Sequence, residues 1–177
     1  MLSQTLFTLM TFTALPLSHG PYLQPIFPLL RIQKSMERHV RAHDTNLALR
    51  LIHRKDGILE ISITNQDEGN IKAFAPNLRS NVTLHYFDED GKELNLKPLY
   101  ILDGYFIKYH KVPQLSKGDK LVGFTSLQSH WRQYQNFGSV KYITAVYQVL
   151  SETISDNLRG SDVFLDIPLL SNICRLE

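Results

Sequence analysis

The chain has one cysteine, Cys174, among 177 residues. An intrachain disulfide is therefore excluded, and so is a zinc site built from several thiolates. Charge of one sign is also missing, since 19 basic and 17 acidic side chains leave a net +2. That balance gives no reason to expect a nucleic-acid partner, and none is assigned. No HExxH, GxSxG or glycine-rich phosphate loop occurs, and no Cys/His pair carries a local catalytic signature. No catalytic residue, cofactor or metal is therefore assigned from sequence. What the chain does have is 43% hydrophobic residues, enough for a core and too many for wholesale disorder.

Residues 1–30 carry no charged side chain, and the first is Arg31. Residues 6–17, LFTLMTFTALPL, have the length of a signal-peptide core and are too short to span a bilayer. Pro16, Pro21, Pro25 and Pro28 argue against one continuous helix through the run. Ser18 and Gly20 frame a cleavage site, although Pro21 follows it and no Lys or Arg precedes the apolar core. The reading is an exported protein, secreted or periplasmic, with membrane contact through the N-terminus left open. Residues 1–20 are a signal peptide or hydrophobic segment. Residues 21–45 are proline-rich, then basic and amphipathic, and 46–177 form the folded domain. In RIQKSMERHVRAH (31–43), Ile32, Met36 and Val40 recur every four residues. That spacing predicts a helix leaning on the domain by a narrow apolar stripe; a membrane-surface or partner-docking helix is the alternative.

After Asp44 the apolar period falls to two. Leu47, Leu49 and Leu51 alternate, then Leu59, Ile61 and Ile63, with Asp56-Gly57 between them as a hairpin signal. Val82, Leu84 and Tyr86 alternate next, and Asp90-Gly91 marks a second hairpin returning through Leu94 and Leu96. Further strands are expected at 71–74, 105–109 and 121–127. A central one at 140–150 is apolar on both faces. Ser151 caps a short helix ending before Gly160, and a last strand carries Val163, Leu165 and Ile167. About seven to nine short strands without long helices between them predict an all-β antiparallel sandwich, with a barrel as the alternative.

The segments ISITNQDEGNIKAF (61–74), VTLHYFDEDGKEL (82–94), VPQLSKGDKLVGF (112–124) and VKYITAVYQV (140–149) follow one another in a familiar order. That order resembles immunoglobulin-like or fibronectin-III-like accessory domains of exported proteins, and is similar to the pro-domains of some secreted metalloproteases. The resemblance covers about residues 46–150 and implies an immunoglobulin-like β-sandwich. No Cys…Trp…Cys core is present, so architecture is all that it implies.

Seven histidines invite a search for metal ligands. His39 and His43 stand i, i+4 on the predicted helix, but no nearby third ligand completes a set, and a solvated face is expected. His85 and His110 fall in separate strands. Asp88, Asp90 and Glu93 resemble part of a calcium loop, but the glutamate required at the twelfth position is replaced by Leu99. A solvated hairpin is the expectation. Cys174 adjoins Arg175, a cation that lowers a thiol pKa when close, but it is read as a plain thiol. Asn81-Val82-Thr83 is a glycosylation sequon, relevant in a eukaryotic secretory pathway, on the face expected to point outward.

The loop 130–137 gathers Trp131, Arg132, Tyr134 and Phe137, residue types that dominate interface energetics. These four are the candidate partner contacts, against the alternative that Trp131 and Phe137 fold back as a lid. The expected function is a non-catalytic, exported binding or accessory domain acting by contact with another protein. A small-molecule or glycan binder is a second reading, with Tyr105, Tyr109, Trp131 and Tyr134 around a cavity. An enzyme of unrecognised type is a third.

Overall fold

The computed structural model describes residues 26–39, 47–78, 80–96, 112–129, 136–149 and 168–176. The expected strand at 105–109, the helix at 151–160 and the strand at 163–167 lie outside these residues. The described chain is all-β apart from its N-terminal helix and short helical turns, and every strand pair is antiparallel.

Strands β1 (Leu47–His53) and β2 (Ile58–Asn65) form the first hairpin, with Leu51 opposite Ile61. Its turn is longer than a two-residue Asp-Gly loop. Gly57 N–H donates to Arg54 O at 3.0 Å and Arg54 N–H to Ile58 O at 2.8 Å. Lys55 and Asp56 thus occupy the turn, and Gly57 follows it at φ 76°, a left-handed conformation that glycine adopts without strain. Strand β7 (Lys120–Ser126) pairs with the other side of β2, placing Gly123 opposite Ile61. The sheet order is β1-β2-β7.

The second sheet has the order β10-β8-β4-β5. Its strands are β4 (Val82–Phe87), β5 (Glu93–Leu94), β8 (Tyr142–Tyr147) and β10 (Cys174–Arg175), and β9 (Leu169–Leu170) also pairs with β8. The last two were not anticipated as strands; each has only two residues, too few for an alternating pattern. A separate two-stranded pair joins β3 (Ile71–Lys72) to β6 (Gln114–Leu115).

Alternation assigns the inner faces. Leu47, Leu49, Leu51, Leu59, Ile61 and Ile63 from the first sheet meet Val82, Tyr86, Ile143, Ala145 and Tyr147 from the second in one cluster. Strand β8 is buried at all six residues, as its two apolar faces require. Its other face, with Tyr142 and Val146, forms a second cluster with Phe87, Ile32 and Met36.

Ile32 and Met36 belong to α1 (Ile26–Met36). The predicted apolar stripe therefore leans on the domain, but the helix begins earlier than expected and runs through Pro28. Pro28 is the third helical residue, where the backbone N–H has no intrahelical acceptor, so proline removes no hydrogen bond. The helix also stops at Met36, where His39 N–H donates back to Met36 O at 2.9 Å. Val40 and His43 lie outside the described residues.

Two close approaches fix the packing. A Cβ on Gly91 would lie 2.3 Å from Pro28 O, and Gly91 has φ 72°. The β4–β5 turn thus abuts the first turn of α1 through a glycine. A Cβ on Gly123 would lie 2.0 Å from Pro76 O, so the strap 73–77 crosses β7 there. The Tyr147 hydroxyl holds this strap, accepting from Phe74 N–H at 3.2 Å and donating to Phe74 O at 3.1 Å. At the other end, the Asn172 side chain accepts from Leu51 N–H and donates to Leu51 O, both at 2.9 Å.

Ile61 is 2% exposed, so Ile61→Ala is expected to lower unfolding free energy by about 2–5 kcal/mol in chemical denaturation. Glu60, on the opposite face of β2, should tolerate alanine with little change; equal effects would contradict the register. Gly91→Ala forces both a positive φ and a clash with Pro28. Its expected cost is about 1–3 kcal/mol, with faster amide exchange across 29–36 than in the parent.

Candidate functional site

The structure brings chemistry together where α1 ends over the β4–β5 hairpin. Along β4, Val82, Leu84 and Tyr86 face the core, which leaves Thr83, His85 and Phe87 on the outer face. Phe87 sits beneath Ile32 and Met36. In the hairpin register Phe87 faces Glu93 and Tyr86 faces Leu94. Glu93 is therefore the diagonal neighbour of His85 on the outer face, within reach of a long side chain.

His85 Nδ1 lies 2.8 Å from Glu93 Oε1. Ser35 Oγ, from the last turn of α1, donates to Glu93 Oε2 at 3.0 Å. His39, just past the helix, places its ring centroid 4.5 Å from that of His85, tilted by 48°. One ligand atom from each of His39, His85 and Glu93 falls within 4.8 Å of the others. Burial raises the Glu93 carboxyl pKa, but the hydrogen bonds from His85 and Ser35 outweigh it and hold the group below its usual range. The His85 side chain is only 13% exposed, whereas His39 is open to solvent.

These are not the groups that sequence spacing paired. Spacing pairs His39 with His43 and sets His85 beside His110, and both of those partners lie outside the described residues. The His85–Glu93 neighbourhood follows from the hairpin only when five residues separate Phe87 from Glu93, an odd number that puts Glu93 on the same face as His85. The contribution of His39 depends on how α1 docks, which no local pattern carries.

The Asp88 carboxylate is used by its own turn, with Oδ1 accepting from Asp90 N–H at 3.0 Å and Lys92 N–H at 2.8 Å. This hairpin is thus closed by side chain and backbone, as expected of a turn rather than an ion loop.

Two expected surface residues are corrected. Phe137 is 3% exposed and packs edge-on against Tyr86, with centroids 5.5 Å apart. It belongs to the core and offers no partner contact; Asn136, at φ 62°, starts the helical turn that directs it inward. Trp131, Arg132 and Tyr134 lie outside the described residues. Asn81 is 3% exposed, its Nδ2 donating to Ala75 O at 3.0 Å and its Oδ1 accepting from Asn77 N–H at 2.7 Å. It opens β4 and turns back to tie the preceding loop, so the amide nitrogen a glycan would use is committed within the fold.

Tyr105, Tyr109, Trp131 and Tyr134, the aromatic residues expected around a ligand cavity, lie outside the described residues. A hollow of about 180 Å³ lies beside Asn81, Val82, Val146 and Gln148, smaller than the ~300 Å³ at which ligand pockets begin. The first turn of α1 is different in character. Ile26, Phe27, Leu29 and Leu30 are exposed, Phe27 by 73%. Among the described residues no helix is long and apolar enough to cross a membrane. No family model, curated protein or solved structure matches the chain.

Cys174 lies in β10 opposite Ile143, half-buried. Burial pushes its thiol pKa up, and a weaker backbone hydrogen bond from His53 does not reverse this. The activating effect considered for Arg175 is therefore not the dominant one. A raised pKa means a smaller thiolate fraction at any pH below it. Iodoacetamide at pH 8 should accordingly label Cys174 more slowly than an exposed cysteine, and labelling should accelerate in denaturant. Rapid labelling of the folded chain, followed by mass spectrometry, would contradict the placement.

Proposed function

We propose that this protein is a non-catalytic, exported, immunoglobulin-like β-sandwich that acts by contact with another protein and is held at a membrane by its N-terminal segment. The strand orders support the architecture. Sheet β1-β2-β7 corresponds to strands A-B-E of an immunoglobulin domain, and β10-β8-β4-β5 to G-F-C with an added C′.

The observation that carries the reading is the exposed face of α1. Phe27, Leu30, Arg31 and Lys34 stand at i, i+3, i+4 and i+7, all of them exposed, while Ile32 and Met36 grip the second sheet. The outward stripe is apolar in its first turn and basic in the next, and residues 1–25 before it carry no charge. Such a helix suits an interface, with its apolar turn among acyl chains and its cations at head groups. Trp131, Arg132 and Tyr134 remain the candidate contacts for a protein partner.

The test is fractionation of the exporting host expressing the full chain. The native protein should be recovered with membranes, its N-terminus between residues 18 and 26 if the leader is removed, so that α1 stays with the domain. Phe27→Glu combined with Leu30→Glu should release it without lowering its melting temperature, and Trp131→Ala should weaken partner binding by about 2 kcal/mol. Soluble cytosolic protein with intact Met1 would overturn export. Membrane retention of the double variant would assign the tether to residues 1–25 instead of α1.

A further inference from the structure

We infer that His39, His85 and Glu93 form a binding site for a divalent transition-metal ion, with Zn²⁺ the best fit, that clamps the end of α1 to the β4–β5 hairpin. The site does not depend on the proposed function. It joins three chain segments: the turn after α1, the outer face of β4 and the return strand β5.

The ligand chemistry is two imidazole nitrogens and one carboxylate oxygen, a set that suits zinc and is soft enough to disfavour calcium or magnesium. In a tetrahedral zinc site, bonds of about 2.0–2.1 Å put the ligand atoms about 3.4 Å apart. The atoms here lie within 4.8 Å. His85 Nδ1 and Glu93 Oε1 are hydrogen-bonded at 2.8 Å, so the ion would displace the proton between them to solvent and part the two atoms by about 0.6 Å. The remaining closure falls to His39, whose exposed ring is free to turn toward them. Solvent supplies the fourth position on that side.

The supporting groups are those that such a site requires. Ser35 Oγ holds Oε2 of Glu93, which orients the carboxylate and aims Oε1 at the His85 ring, where the ion would replace the shared proton. His85 stands on a strand that pairs with β8 along its length and with β5 at its end, so its backbone is fixed. His39 N–H is tied to Met36 O, and Met36 is anchored in the outer cluster. Two of the three ligands are therefore attached to rigid elements on opposite sides of the helix–sheet seam. An ion between them binds the folded chain in preference to the unfolded one and raises its stability by mass action.

The test uses the full chain stripped of metal by chelator, with Zn²⁺ as the probe. Equilibrium dialysis should show one tight equivalent per chain, and zinc should raise the melting temperature. Substituted Co²⁺ should give the intense visible bands of a four- or five-coordinate site. His39→Ala and Glu93→Gln should each weaken binding at least tenfold and abolish the thermal shift. His39→Ala alters an exposed side chain, so its metal-free melting temperature should match the parent and separate lost binding from lost fold. His53→Ala, in β1, should bind as the parent does. No stoichiometric zinc, or binding equally strong in His39→Ala and Glu93→Gln, would overturn the assignment.

Discussion

The structure depends on covering both faces of β8. Its six residues are all buried, which is unusual for a strand in a small antiparallel domain, where one face is commonly left to solvent. One face is satisfied by the opposing sheet, through Ile143, Ala145 and Tyr147. The other exposes Tyr142 and Val146 unless something lies over them, and a sheet of this size has no third layer of strands to supply. Helix α1 supplies that layer with Ile32 and Met36, assisted by Leu170 and Ile173 from the closing segment. The helix is thus part of the fold, and its position determines which outer-face residues of β4 it meets.

Buried polar groups then set the loops. Asn65 donates to Gly69 O and Leu115 O and accepts from Asp67 N–H, so one side chain joins the turn after β2 to the β3–β6 pair. Thr144 and Ser171 share a hydrogen bond at 3.1 Å, and Ser171 Oγ accepts from Ala145 N–H at 2.8 Å where β9 gives way to β10. Each of these polar atoms is costly to bury alone and inexpensive once paired. The result is a set of loops held by specific partners, not merely tethered by their ends. Ser62 Oγ stands apart, buried without a partner among the described residues.

Much of this organisation was legible in the residues. The alternating leucines and isoleucines of β1 and β2 fixed which side chains face inward, because a period of two leaves one choice of face once the core is known. The doubly apolar run at 140–150 marks a central strand for the same reason, and β8 occupies Tyr142–Tyr147 of it. The helix boundary was misjudged because proline is read as a breaker, whereas at the third helical position it has nothing to break. Asn81 and Phe137 were misplaced for opposite reasons. Asn81 fitted the outward register of β4 but served the turn before it, and Phe137 looked like part of an aromatic loop but was redirected inward by a left-handed Asn136. The cluster of His39, His85 and Glu93 escaped because half of it follows from hairpin register and half from tertiary docking.

The Asn172 amide has a consequence beyond holding the chain's end. Among the described residues β1 is an edge strand, with an N–H and a C=O at Leu51 directed away from β2. An open edge of this kind invites another molecule to add its own strand, the route by which folded β proteins polymerise. Asn172 fills that slot with the one side-chain group that can donate and accept in the spacing of a peptide unit. It interrupts the ladder that a neighbouring chain would extend, in the middle of β1. An edge already occupied by the domain's own side chain offers a second copy little to join.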